Sequence, residues 1–205
     1  MKVVKFGGSS LADAGQIKKV CDIVLSDPDR KIMVVSAPGK RHDGDTKVTD
    51  MLIALACKCL AGDPYAAELD AVVGRYQSIA EDFHLGQEIV EQIRADIAGR
   101  IEHRPPEDAK FMDLMKAAGE DNSAKIVAAY LQSLGVSAKY MNPRDAGLML
   151  SEEFGNARVL PESYKRLAAL ADTKELIVFP GFFGYSLSGE VVTFSRGGSD
   201  VTGSV

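Results

Sequence analysis

The chain opens on short apolar runs separated by a helical pattern. Residues 3–6 (Val-Val-Lys-Phe) run into Gly7-Gly8, which reads as a buried strand entering a tight turn. Across 11–25, Ile17, Val20, Cys21, Val24 and Leu25 recur at helical spacing. Residues 32–35 are again a compact, largely β-branched run, stopped by Pro38-Gly39. Strand, helix, strand in this order predicts the βαβ unit of a parallel sheet. Residues 40–47 are polar and charged, hence a loop, and 48–60 predict a helix with Thr49 and Asp50 near its start.

Residues 64–104 read as helical throughout, as two helices broken near Gly86, and Pro105-Pro106 ends them. This insert, near 62–118, is expected to cap one edge of the sheet. A further amphipathic helix is predicted over 119–134, with Gly135 as its C-terminal glycine. Then come a strand at 136–141, a helix at 161–170 with proline in its first turn, and a strand at 176–179. Residues 184–194 predict a hairpin turning near Ser188-Gly189. Arg196-Gly197-Gly198-Ser199-Asp200 reads as a glycine turn into a helix, with Ser199 or Asp200 as N-cap. The fold class is therefore α/β: a three-layer α/β/α sandwich with a mainly parallel sheet, here incomplete.

Composition narrows the function classes. The 24 Lys plus Arg against 29 Asp plus Glu give a formal charge of −5, which does not favour a nucleic-acid partner. No apolar run approaches the roughly 20 residues that span a bilayer, and the first residues lack a signal-peptide core. No membrane association is expected. The three cysteines do not suggest a disulfide framework. Cys57 and Cys59, about 200° apart on a helix, point to opposite faces and share no metal. All three read as small core residues.

Three constellations carry chemistry. In Lys5-Phe6-Gly7-Gly8-Ser9-Ser10, two glycines let backbone amides approach a ligand, a helix start adds a positive dipole, and Lys5 adds a mobile charge. That suits a phosphate, although a plain strand-to-helix turn has the same composition; the pattern is neither a Walker A loop nor GxGxxG. In Phe194-Ser195-Arg196-Gly197-Gly198-Ser199-Asp200, an arginine fork sits beside backbone donors and a carboxylate. In Gly119-Glu120-Asp121-Asn122-Ser123, placed at a helix start, Glu120 either accepts from a substrate ammonium or simply favours the helix dipole. Loop 39–47 either orders over a substrate or stays solvated. His42, His84 and His103 show no metal-ligand spacing.

KFGGSS from Lys5 resembles the opening signature of aspartate kinases, within the wider amino-acid-kinase family, and TFSRGGSDVT from Thr193 resembles their second. Between them, GEDNSA from Gly119 is similar to the substrate-side GExxSA element, and KVTDMLIALA from Lys47 to the threonine-bearing loop and helix. PGFFGYSLSGEVVTF from Pro180 is similar to the lead-in to the arginine, so the resemblance runs the whole chain in order. It implies ATP-dependent phosphorylation of the L-aspartate side-chain carboxylate, giving 4-phospho-L-aspartate for lysine, threonine and methionine biosynthesis. ATP and Mg2+ are the implied cofactors, L-aspartate and ATP the partners, with a cytoplasmic homodimer as the setting. The chain is then the N-terminal, amino-acid-binding part of the catalytic domain, without the nucleotide-binding half or the regulatory ACT domains, and inactive alone.

The roles implied are Lys5 and Asp200 as catalytic, and Gly7, Gly8 and Ser9 as phosphate-binding. Thr49, Glu120, Arg196, Gly198 and Ser199 are substrate-binding, with Arg196 clamping a carboxylate and Asp200 either orienting Lys5 or helping to place the ammonium. The side-chain carboxylate of aspartate ordinarily titrates at about pH 3.9, so it arrives ionised and needs no general base. Alternatives are another member of the family, acting on glutamate, acetylglutamate or uridylate, and a non-catalytic amino-acid-binding lobe.

Overall fold

A computed structural model of the protein describes residues 1–195 and 197–205. Strands β1 (Lys2–Phe6), β2 (Arg30–Val35), β3 (Ala138–Tyr140) and β4 (Leu176–Pro180) form one sheet in the order β1-β2-β4-β3, every pairing parallel. The hairpin strands β5 (Phe183–Tyr185) and β6 (Val191–Thr193) pair antiparallel in a second, two-stranded sheet. Strand alternation divides the core in two. Met33, Val35 and Val178 face one cluster, while Ile32, Val34, Ile177 and Phe179 face the other.

The first face is covered by α1 (Ala14–Leu25) and α5 (Asp108–Ser133), with α2 (Val48–Ala61) packed against α5. The second carries Leu148, Leu150, Val192 and Phe194, from the segment after α6 (Pro143–Ala146) and from the hairpin. There, α7 (Glu162–Leu167) contributes Leu167, and α8 (Gly198–Ser204) rests on β1 and β2. Layers of non-sheet elements on both faces of a parallel sheet make this the expected α/β sandwich.

Three expectations are corrected. The insert helices α3 (Ala66–Asp82) and α4 (Gln87–Glu102) break near Gly86 as predicted, but they do not cap a sheet edge. They pack on α2 and α5 as an outer helical layer, because Val72, Val73, Tyr76, Ile79, Val90, Ile93 and Ile97 join the core cluster that α5 feeds. The insert also has no boundary at 118: α5 runs unbroken from Asp108, so Gly119–Ser123 lie mid-helix and not at a helix start. Gly119 is tolerated there because a Cβ would sit 2.8 Å from Ala37 Cβ, and its carbonyl accepts from Tyr76 Oη at 2.7 Å. Third, Cys57 is exposed, while Cys21 and Cys59 are buried.

Asp121 and Asn122 belong to a polar lock between α4, α5 and β3. Arg100 bonds Asp96 and Asp121, Lys125 bonds Asp121, Asn122 donates to Asp96, and the Tyr140 hydroxyl donates to Asp121. Two carboxylates and two cations balance, as buried charge requires. No described helix is long and apolar enough to cross a membrane.

Candidate active site

The first glycine turn sits at the C-terminal end of β1, where the sheet opens. Gly7 is extended (φ −80°, ψ 168°) and Gly8–Leu11 form a 3-10 turn. The next strand end, Ser36 to Gly39, crosses directly over it. Gly39 N–H donates to Gly8 O at 2.8 Å, and Ser36 N–H donates to Phe6 O at 3.3 Å. The crossing leaves no room for a side chain, since a Cβ on Gly39 would lie 2.6 Å from Gly8 C and 2.7 Å from Gly8 O. Backbone cannot swing aside, so Gly39→Ala is expected to cost about 1–3 kcal/mol, lowering Tm by roughly 3–9 °C. Gly44→Ala, whose Cβ would meet nothing nearer than 3.7 Å, should leave Tm unchanged in the same thermal melts.

Beside this crossing lies a cleft of about 450 Å³ whose lining includes Gly8, Ser9, Lys40, Lys47, Thr49 and Glu120. Thr49 stands in the first turn of α2, which Lys47 caps. Glu120 reaches the cleft from the middle of α5. It is 5% exposed, and among the described residues its Oε2 has no hydrogen-bond partner. Burial pushes this carboxyl up to about 8; the Ala37 amide and the charge of Lys5 offset that only in part. A buried carboxylate without a partner is costly, and a cation would relieve it.

The second glycine turn brings Asp200 to the first. Lys5 Nζ and Asp200 Oδ1 are 2.8 Å apart, with Lys5 half-buried and Asp200 exposed. The helix α8 is capped by Gly197; Ser199 and Asp200 fall inside its first turn, because helical bonding already starts at the Gly197 carbonyl (Asp200 N–H, 2.9 Å). Ser199 is buried: it packs against Gly181 at the end of β4, where a Cβ on that glycine would meet Ser199 Cβ at 2.7 Å. Gly198 is buried against Phe194 and Phe182. Arg196, expected to clamp a carboxylate, lies outside the described residues.

Gly8, Ser9, Thr49 and Glu120 thus line one cleft, with Gly7 in the turn that leads into it and Lys5 held by Asp200. Gly198 and Ser199 are buried in packing against Phe194, Phe182 and Gly181. Pro38, Gly39, Lys40 and Lys47 complete the cleft wall, from a loop the sequence leaves open between ordered and solvated. The loop is fastened at Asp45, which accepts from Arg41 and from Arg75, on α3, while residues 40–44 are exposed. Arg75 went unnoticed in the sequence, where its signal is a lone arginine among the buried Val72, Val73, Tyr76 and Ile79.

Glycine turns, a paired lysine and a buried carboxylate with an unpartnered oxygen thus gather at the C-terminal edge of the parallel sheet of an α/β protein. The amino acid kinase family model matches residues 1–205. The chain belongs to that family. It is 55% identical over all of its length to aspartokinase 3 of Bacillus subtilis, covering 45% of that protein. It is 30% identical to chloroplastic aspartokinase 1 of Arabidopsis thaliana, over 98% of the chain and 36% of that protein. Among solved structures, Clostridium acetobutylicum aspartate kinase superposes with a TM-score of 0.82 at 33% identity, over 100% of this chain and 43% of that one. Escherichia coli aspartokinase III, in complex with aspartate and ADP, gives 0.77 at 27% identity, over 98% of this chain and 44% of that one. The chain spans less than half the length of these relatives.

Proposed function

We propose that this chain is the amino-acid-binding part of an aspartate kinase, which transfers the γ-phosphoryl group of ATP to the side-chain carboxylate of L-aspartate. The observation that carries the reading is Glu120, a buried carboxylate with an unpartnered oxygen in the same cleft as the Gly8-Ser9 turn and Thr49. An α-ammonium fits that oxygen, and a glycine turn beside a lysine fits a phosphoryl group. The E. coli relative bound to aspartate and ADP supports the same pairing of ligands.

In this reading the reaction needs placement and charge compensation in place of a base. Aspartate is ionised on arrival. Glu120 gives up its proton and holds the ammonium, while Thr49 donates to a carboxylate oxygen. Lys5, oriented by Asp200, meets the charge developing on the transferring phosphoryl group. Gly7, Gly8 and Ser9 offer backbone and hydroxyl donors to phosphate oxygens, and Arg196 is assigned to a substrate carboxylate by the sequence motif. Magnesium would accompany the nucleotide. Phosphate oxygens and water are its natural ligands. Adenine and ribose are assigned to sequence outside this chain. A cytoplasmic setting and a homodimer are proposed from the family resemblance.

The test is aspartate-dependent ATP consumption by the longer protein, trapped as the hydroxamate with hydroxylamine. Absence of hydroxamate with aspartate would overturn the reading. Calorimetry adds an independent check. A carboxyl at about 8 is mostly protonated at pH 7, so binding the ammonium should release close to one proton per aspartate, read from buffers of different ionisation enthalpy. Binding without proton release would remove Glu120 from the ammonium.

A further inference from the structure

Arg75 is the buried guanidinium that the functional reading leaves unused. It is 6% exposed on a helix whose other buried positions are Val72, Val73, Tyr76, Ile79 and Ala80. A buried guanidinium survives only where its donors are met. Its carboxylate partner is Asp45, with Nη1 to Oδ2 at 2.9 Å. Three backbone carbonyls join it around the two terminal nitrogens: Thr46 O at 3.0 Å from Nη1, and Gly39 O at 2.8 Å and Ala12 O at 3.2 Å from Nη2.

The identity of those carbonyls matters. Gly39 immediately precedes Lys40, and Thr46 immediately precedes Lys47; both lysines line the cleft with Ser9, Thr49 and Glu120. Ala12 immediately follows the 3-10 turn that carries Gly8 and Ser9. One planar fork therefore ties both ends of the 40–47 loop to the glycine turn. Asp45 is the second fastening: Arg41 binds it through Nε at 2.8 Å, Nη2 at 2.9 Å and its own N–H at 3.0 Å. Hydrogen bonds from Arg41 hold the Asp45 carboxyl far below its usual range, and the charge of Arg75 adds to that. The fastening stays charged at every pH at which such an enzyme works.

We infer that Arg75 is a positioning residue that sets Lys40 and Lys47 at the cleft, making the helical insert part of the substrate-recognition apparatus. The two ammonium groups add positive charge where an acidic amino acid and a phosphoryl group must meet, two anions that repel each other. What the lysines meet rests on the phosphoryl-transfer reading; the pinning of the loop does not.

The test uses Arg75→Lys in the longer protein, which keeps the charge but lacks the fork. The KM for aspartate is expected to rise about 10-fold, with the KM for ATP within twofold, while tryptic cleavage at Lys40, Arg41 or Lys47 speeds up at least 10-fold. A purely structural role would lower the active fraction, hence kcat, and leave the aspartate KM alone. In a Lys40→Ala/Lys47→Ala background the same change should add less than twofold, because Arg75 acts through those lysines. Full additivity, or an unchanged aspartate KM in a folded variant, overturns the proposal. Should Arg75→Lys fail to fold, Asp45→Asn loosens the same loop from its other side and must move the aspartate KM in the same direction, or the proposal fails. A wild-type protein with no aspartate-dependent turnover would sink the phosphoryl-transfer reading alone, and the proteolysis rates would still decide the pin.

Discussion

Lys5→Ala in the longer protein is expected to lower kcat by about 100-fold or more, while the KM for aspartate stays within about twofold. Lys5 is the penultimate residue of β1, and its ammonium is held 2.8 Å from Asp200. A charge fixed before the reaction starts needs no reorganisation when negative charge builds on the phosphoryl oxygens, so its removal is felt in the transition state. The fold should not suffer: the partner left behind is an exposed carboxylate, and exposed pairs contribute little. Asp200→Asn should reproduce part of the kcat loss, since Lys5 would lose its orientation and keep its charge. Steady-state kinetics with both substrates, and circular dichroism on each variant, decide it. A Lys5→Ala enzyme that changes only in its aspartate KM would move Lys5 into the amino-acid pocket.

Glu120→Gln is expected to act in opposite directions on function and stability. Removing one partner of a desolvated ion pair commonly costs about 2–5 kcal/mol, so the aspartate KM should rise at least about 30-fold. The KM for ATP should move much less. The free protein, in contrast, should gain. Burial raises the folded-state carboxyl to about 8 from an ordinary 4.5. The unfolded chain therefore ionises first, and folding loses stability as pH climbs from the unfolded value through the folded one. A shift of that size is worth on the order of 5 kcal/mol once pH passes 8. The wild type should melt at progressively lower temperature, relative to Glu120→Gln, between pH 5 and pH 8, with the gap level above that. Paired thermal melts at pH 5, 6, 7, 8 and 9 measure it. Parallel curves would show that Glu120 ionises normally and would withdraw the strain on which the ammonium site rests.

The two glycine turns shared one property that made them readable: the chemistry is local. Gly7-Gly8 after an apolar run states its turn within a few residues, and Gly-Gly-Ser-Asp announces a helix, although the cap falls on Gly197 and not on Ser199 or Asp200. The strands and helices of the βαβ unit were legible for the same reason, because periods of 2 and 3.6 are written in consecutive side chains. Even the break near Gly86, between α3 and α4, needed nothing beyond its own neighbourhood.

Other features depended on distance in sequence. The acidic cluster after Gly119 suggests a helix start, yet α5 passes straight through it. One step along that helix separates Glu120, which faces the cleft, from Asp121, which faces Arg100 and Lys125. Adjacent side chains on a helix diverge by about 100°, so two carboxylates of identical composition receive opposite roles. Only the packing of α4 and α2 on either side shows which is which. Loop 39–47 presents the same problem. Its charges are compatible with a solvated segment until Arg75, 30 residues beyond Asp45 in the chain, is seen to bond it. Local backbone preference and side-chain periodicity, set by neighbours in the chain, were determined by the sequence alone. The partners of buried charges were decided by tertiary structure, because desolvation makes a charge depend on whatever the fold brings within about 3 Å of it.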